Sequence, residues 1–361
     1  MKIAILAHGI SPFAHQYARA FGARGHTASV WSISSYDGAA DVPLRVVGPP
    51  EFKPWDSRAR LGPYLKTAMA VRCAVREERP DILFAAYMTS GGVLACLSGH
   101  PRVVVSAQGS DVNSHLGSRL WRAIFRWEGR RAVIVHAVSD ALAEALRDRV
   151  GVPPEKLLVA PMGVETDVMA YVDPAERPHT GQILNVRAHR PVYDQATFVR
   201  ALVRLKQRGV RCHATFAHAM EVESTRRLVA ECGVQDRVTF INGYTLEELP
   251  RLLASADVYV SASRSDGTSQ ALLEALSTGT FPVVSDIPAN QPWVTHGKNG
   301  YLFPVGDDAA LADRLAEALA QADRRATAAP LSRRIAVEKG DLPRQAQRLL
   351  DAFEKCLAEK R

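Results

Sequence analysis

The chain has 361 residues, 47% of them apolar and 23% charged, with a formal net charge of +7. That length gives a prior of about two domains, and the balance is that of an ordinary globular protein, so a small module, a disordered chain and a fibrous repeat are excluded. No apolar run reaches the roughly 18 residues of a spanning helix, and a histidine interrupts the opening MKIAILAHG too early for a signal-peptide core; a cytoplasmic location is expected. The five cysteines form no C-x-x-C pair, which suits a reducing compartment and packing roles. Residues 1–170 hold 20 Lys and Arg against 15 Asp and Glu, so the front half is the basic half.

In chain order, short β-branched runs alternate with stretches of helical periodicity, the pattern of parallel strands joined by helices. Strands are predicted at Lys2 to Ala7, Asp81 to Tyr87, Arg102 to Ala107, Val133 to Val138 and Leu157 to Ala160. Helices are predicted at Phe13 to Arg24, Tyr64 to Arg79, Ser118 to Arg130 and Asp140 to Arg149. Residues 167–182 turn polar and irregular, as a linker does. The alternation then resumes, with strands predicted at Gln182 to Val186, Cys212 to Ala217, Arg237 to Ile241, Asp257 to Ala262, Phe281 to Ser285 and Tyr301 to Phe303. A last helix, Pro343 to Lys360, carries Leu349, Leu350 and Phe353 on one face and needs a surface to cover. The expected domains are 1–168, 169–340 and a C-terminal helix at 341–361 that packs back on the first domain. Both domains are α/β, doubly wound around parallel sheets.

Several chemistries lack their signatures. No two glycines stand two apart, which removes G-x-G-x-x-G, and G-x-x-x-x-G-K-[ST] is missing too. No two aspartates stand two apart, which removes a D-x-D pair for a divalent metal on a diphosphate. H-E-x-x-H and G-x-S-x-G are also missing.

The densest signal is SASRSDGTSQALLEALSTGTFPVVSD, Ser261 to Asp286. A strand enters a polar turn and then a helix from Thr268 to Thr278, stopped by Gly279. Thr268 and Ser269 are good N-caps, and the unpaired N–H groups and dipole at that end suit an anion such as phosphate. Asp266 precedes the helix, while Glu274, eight residues on, lies between leucines. A turn and a cap explain Asp266 and Thr268 equally well, but a carboxylate among leucines needs a partner. Arg187 follows a predicted strand of the second domain, Gln108 and Asp111 follow one of the first, and His8 and Gly9 follow the first strand of all. Open α/β sheets bind ligands at such strand ends, although a salt bridge or a plain turn is the alternative at each. In SRLWRAIFRWEGRR, Ser118 to Arg131, the residues Arg119, Arg122, Arg126 and Arg130 share one arc of about 80°. Leu120, Trp121, Ile124 and Phe125 fall on the other side. This helix is either a solvated face over the core or a contact for anionic lipid.

The acid-x7-acid pair across a strand, turn and helix, followed by V-V-S-D, resembles the signature of the retaining glycosyltransferases of family 4, which have the two-domain GT-B fold. Further matches run along nearly the whole chain: A-R-G-H at Ala23 to His26, G-S-D at Gly109 to Asp111, M-G-V at Met162 to Val164, A-D-V-Y-V at Ala256 to Val260 and N-G-Y-L-F at Asn299 to Phe303. The resemblance implies two Rossmann-like domains facing a central cleft. It implies transfer of a sugar, with retention, from a nucleotide-diphosphate sugar to a hydroxyl acceptor, without a metal or other cofactor. Asp266, Arg187 and Gln108 are then catalytic. Glu274 would hold the donor ribose, and Gly267, Thr268, Ser269, Arg190 and Gly9 complete the donor set; Asp111 and His8 lie on the acceptor side. Nucleotide sugar and acceptor are the implied partners, with peripheral contact to an anionic membrane through Ser118 to Arg131 and no nucleic acid.

The chain departs from the family pattern at four points. Asp266 stands where Glu is usual, and Gln108 stands where many members have a sugar-contacting His. Val192 stands where a Lys usually follows the arginine, leaving Arg190 as the nearest substitute, and A-H-A-M-E at 217–221 replaces a glycine-rich segment. A sugar-nucleotide epimerase of the same architecture and a nucleotide-sugar-binding protein with decayed catalysis are the alternative readings.

Overall fold

The structure, a computed structural model, describes residues 1–9, 11–36, 41–49, 61–177 and 179–359. The chain forms two compact units, Met1–Met162 with Pro343–Arg361, and Gly163–Leu342. Residues 163–168, placed with the first domain on sequence grounds, belong to the second unit. Val164 N–H donates to Gly340 O at 2.8 Å and Leu342 N–H to Val164 O at 2.9 Å.

The first unit is built on seven strands: β1 (Lys2–Ala7), β2 (Thr27–Ser32), β3 (Leu44–Val46), β4 (Ile82–Ala86), β5 (Val103–Ala107), β6 (Ile134–Ala137) and β7 (Leu157–Val159). Their order is β3-β2-β1-β4-β5-β6-β7, and every pairing is parallel. β4, β5 and β6 are buried at every residue, which is why they read as unbroken apolar runs instead of alternating ones. From β1 the chain goes to β2 on one side and returns through β4 to the other, so the sheet's topological switch point lies between β1 and β4. The last helix, Leu342–Ala358, stops before Lys360, which lies outside the described residues. It brings Phe353 to 5.9 Å from the Phe21 ring and 5.7 Å from that of Phe84.

In helix Arg119–Arg131, capped by Ser118, the arginines and apolar residues divide differently from the expectation. Phe125 is buried, but Leu120 is 68% and Trp127 41% exposed. Arg122 and Arg126 are engaged locally, donating to Leu116 O at 2.9 Å and Val150 O at 2.6 Å. Cys73 is exposed, whereas Cys96 is buried as a packing residue should be.

The second unit has β8 (Gln182–Asn185), β9 (His213–Phe216), β10 (Val238–Phe240), β11 (Val258–Ser261), β12 (Phe281–Ser285) and β13 (Tyr301–Phe303), in the order β10-β9-β8-β11-β12-β13. Its switch point lies between β8 and β11. Helix Gln270–Thr278 is buried from Ala271 onward and packs on helix Ala322–Gly340. The predicted linker is anchored to this unit, since Arg177 donates to Val172 O, Thr278 O and Thr280 Oγ1. No described helix is long and apolar enough to cross a membrane.

Candidate functional site

At the second unit's switch point, Asn185 closes β8. Its side chain donates to Val260 O of β11 at 3.2 Å, and its Oδ1 accepts the Arg187 N–H at 3.0 Å. Gln195 Nε2, at the start of the next helix, lies 3.1 Å from Asn185 Oδ1, Arg187 O and Ala188 O. These buried amides fix the backbone that carries Arg187. The guanidinium then spans the switch point, with Nη2 donating to Asp266 Oδ2 at 2.6 Å and Nη1 to Ser269 Oγ at 3.2 Å. The Tyr193 ring lies 4.0 Å beneath it. Burial opposes the charge of Arg187, but Asp266, Tyr193, Tyr259 and Glu274 together outweigh burial and hold the group protonated.

Ser269 is also the N-cap of helix Gln270–Thr278, accepting from Leu272 N–H at 3.3 Å. Asp266 Oδ1 accepts the Gly267 N–H at 2.9 Å, tightening the turn, and Thr268 is buried beside it. Glu274 is 6% exposed. Burial pushes its carboxyl up to about 7, against the opposing pull of Arg187 and a hydrogen bond from Gln270. Arginine, aspartate, cap serine and buried glutamate thus form one cluster on adjacent strand ends. Arg190 does not join their hydrogen bonds: it is exposed and turned to Glu221 Oε1 at 3.3 Å and Met220 Sδ at 3.2 Å.

Sequence reasoning missed Asn185 and Gln195, which touch the cluster only through backbone and amide bonds that the fold creates. His218 lies in the A-H-A-M-E segment. The imidazole is half-buried and its pKa is lowered by burial, then by the charges of Arg187 and Arg190, so a neutral imidazole lies near the two guanidinium cations. Its Nδ1 accepts the Met220 N–H at 3.1 Å.

The other predicted residues form a second set in the first unit. Gln108 follows β5 and precedes Gly109, whose φ of 109° is open to glycine. The buried Asp111 carboxylate accepts the Gln108 N–H at 3.0 Å and the Met88 N–H at 2.8 Å, tying the ends of β5 and β4 together. Each of its oxygens thus accepts one backbone N–H, which makes it a clamp between the two strand ends. His8 is buried at the end of β1, with Nδ1 3.2 Å from Ser34 Oγ and its pKa lowered to about 4 by burial. Gly9 is small for an internal reason: a Cβ there would meet Tyr36 Cβ at 2.7 Å and Ser32 Oγ at 2.8 Å.

Comparison with known proteins gives the two units matching identities. Residues 7–168 match the family model described as Glycosyltransferase Family 4, and residues 173–334 match that described as Glycosyl transferases group 1. The chain is 29% identical over 248 residues to the GDP-mannose-dependent alpha-(1-6)-phosphatidylinositol monomannoside mannosyltransferase of Mycobacterium tuberculosis. That alignment covers 64% of this chain and 63% of the relative. It is 24% identical over 270 residues to the GDP-mannose:cellobiosyl-diphosphopolyprenol alpha-mannosyltransferase of Xanthomonas campestris, covering 73% and 70%. The sucrose-phosphate synthase of Thermosynechococcus elongatus has the same fold, with a TM-score of 0.85 at 17% identity over 99% of both chains. So does Anabaena HepE in complex with UDP and glucose, with a TM-score of 0.81 at 18% identity over 98% of this chain and 99% of that one.

Proposed function

The chain belongs to the family 4 (group 1) glycosyltransferases of GT-B fold, and on that premise we propose that it moves a sugar from a nucleoside-diphosphate sugar to a hydroxyl acceptor with retention at the anomeric carbon. The observation that supports this most is the Arg187–Asp266–Ser269 cluster at the second unit's switch point, with Glu274 four residues into the helix that Ser269 caps. A nucleoside diphosphate has a chemistry for each part. The diphosphate takes Arg187 and the helix N-terminus, whose N–H groups and dipole favour anions. A ribose diol donates two hydrogen bonds to the Glu274 carboxylate. Asp266, released from Arg187 as phosphate replaces it, is free to accept from the sugar hydroxyls.

In this reading the acceptor oxygen bonds to the anomeric carbon on the face from which the diphosphate departs. The carbon–phosphate-oxygen bond breaks, and the departing oxygen takes the acceptor's proton. Arg187 stabilises the charge developing on that oxygen, and protein cations supply this with no resident metal. The relatives' names, both alpha-mannosyltransferases that use GDP-mannose, support retention and a nucleotide donor. The test is thermal unfolding with UDP, GDP, UDP-glucose and GDP-mannose, with Glu274→Ala alongside. At a hundredfold excess over Kd one nucleotide should stabilise the wild type by about 2.7 kcal/mol and leave the variant unmoved. If none of the four shifts the wild type, the donor assignment falls.

Peripheral contact with anionic membrane belongs to the same reading, with its chemistry revised. Exposed Leu120 and Trp127 lie beside exposed Arg119 and Arg130 on helix Arg119–Arg131, and exposed Leu65 and Met69 lie beside Lys66 and Arg72 on helix Leu61–Glu78. Apolar side chains to insert and cations to meet phosphate are what an anionic surface needs. Vesicles containing phosphatidylglycerol should float the wild type at low salt, and Leu120→Ser with Trp127→Ser should cut the floated fraction at least fivefold. Equal flotation of both proteins would end this part of the proposal.

A further inference from the structure

Gln108 heads a buried chain of hydrogen bonds that ends on a backbone carbonyl. Its Nε2 lies 2.5 Å from Ser106 Oγ, Ser106 Oγ lies 2.8 Å from His136 Nδ1, and His136 Nε2 lies 2.6 Å from Ala160 O. Ser106 and His136 are wholly buried, and Gln108 is 7% exposed.

The direction of every bond in this chain follows from its far end. Ala160 O only accepts, so the imidazole proton sits on Nε2. Burial lowers the His136 pKa to about 4, which keeps the ring neutral at pH 7 and leaves Nδ1 as a lone pair. Nδ1 must therefore accept from the Ser106 hydroxyl. With its single proton used, Ser106 Oγ can only accept from Gln108, and the amide must turn its NH2 inward. The carbonyl, Gln108 Oε1, is left buried with no hydrogen-bond partner among the described residues. Its backbone is fixed as well, by the Asp111 clamp on the Gln108 and Met88 amides.

We propose that Ser106 and His136 are positioning residues that lock Gln108 as a hydrogen-bond acceptor, so that the first unit selects a substrate bearing a hydroxyl that donates to Oε1. The identity of the ligand rests on the transferase reading; the lock does not. A buried carbonyl left unpaired discriminates strongly in favour of a ligand that pairs it, since a ligand lacking the donor leaves it desolvated. The donating hydroxyl belongs either to the donor sugar or to the acceptor.

Two measurements test this. In ring-15N-labelled protein at pH 7, His136 should show a neutral ring protonated at Nε2; an Nδ1–H tautomer or an imidazolium overturns the lock with no ligand needed. Then Ser106→Ala, Ser106→Thr and Gln108→Leu are titrated with UDP, GDP, UDP-glucose and GDP-mannose and assayed with n-octyl α-mannoside as acceptor. If the hydroxyl is the donor sugar's, Ser106→Ala and Gln108→Leu weaken the nucleotide sugar at least tenfold and leave the free nucleotide within twofold. If it is the acceptor's, donor affinities hold and KM for the octyl mannoside rises at least tenfold while kcat stays within threefold. Ser106→Thr, which keeps the hydroxyl, should recover to within threefold of wild type in either case. Unchanged binding and turnover in both alanine and leucine variants overturns the proposal, as does an equal loss for free nucleotide and nucleotide sugar, which marks a merely structural effect. A wild type that binds none of the four nucleotides instead overturns the transferase reading, and the histidine tautomer still decides the lock.

Discussion

Glu274 is the residue whose titration should be visible. Its carboxyl titrates at about 7 in the fold, held there by burial, against an ordinary value of 4.5. Between those values the folded state keeps a proton that the unfolded state has lost, so stability falls as pH rises through that window and levels off above it. The full loss is on the order of 3 kcal/mol. Urea unfolding of the ligand-free protein at pH 5 and pH 8 should show it, and Glu274→Gln should remove most of the difference; an unchanged slope in the variant would assign it elsewhere. Binding has the opposite sign, because a ribose diol donates to the ionised form: nucleotide affinity should rise through pH 7 in the wild type and stay flat in Glu274→Gln. At this scale the sequence was legible where residue type and position agreed. The carboxylate among leucines is buried, and the arginine just past a strand end reaches Asp266 and Ser269. The direction of Arg190 was not legible, because an offset along a loop does not say where a side chain turns, and it turns to Glu221. Asn185 and Gln195 were invisible because their partners are backbone atoms that meet only in the fold.

Helix Gln270–Thr278 holds Ser269 and Glu274 in place, and its far end depends on one glycine. Gly279, at φ +79°, caps the helix in the left-handed region, and a Cβ there would meet the Tyr171 ring at 2.7 Å. Gly297, at φ +77°, has only Arg324 Nη1 at 3.9 Å. The left-handed backbone alone costs an alanine about 1–2 kcal/mol, so Gly297→Ala should lose that much and Gly279→Ala clearly more. Chemical unfolding of the two variants compares them, and equal losses would mean that Tyr171 yields freely. Elements with a strong period or an unbroken apolar run were legible to the residue: β1, β12 and β13 span the predicted ranges. β2 and β3 were not predicted. β2, T-A-S-V-W-S, mixes small polar residues with Val30 and Trp31, and its strand character comes from pairing beside β1. β3 is a three-residue edge paired, among the described residues, only to β2. For both, the neighbouring strand decides the structure, a cause that no local window contains.

The first unit is assembled from both ends of the chain, with the whole second unit inserted between Met162 and Pro343. Its last helix therefore packs Phe353 against rings that lie more than 250 residues upstream, those of Phe21 and Phe84. Phe353, Leu349 and Leu350 are fully buried, and Phe353 touches the rings of Phe21 and Phe84, on a helix and on β4. Truncating Phe353 to alanine removes a large ring from a packed site, a loss of about 3–5 kcal/mol. That loss should fall on the first unit, because the second has its own core around Phe198, Phe216 and Val260 and its own switch-point cluster. Hydrogen exchange separates the two: Phe353→Ala should speed exchange in β1 and β4, leave β8 and β11 near wild type, and keep nucleotide binding. Nucleotide should in turn protect β8 and β11 in wild type and variant alike, because it stabilises the unit that binds it. Exchange rising equally in both sheets would instead mean that the units unfold as one cooperative body, and the C-terminal helix would then govern donor affinity from outside the donor site. The insertion also orders synthesis, since the second unit's strands are all made before the helix that completes the first.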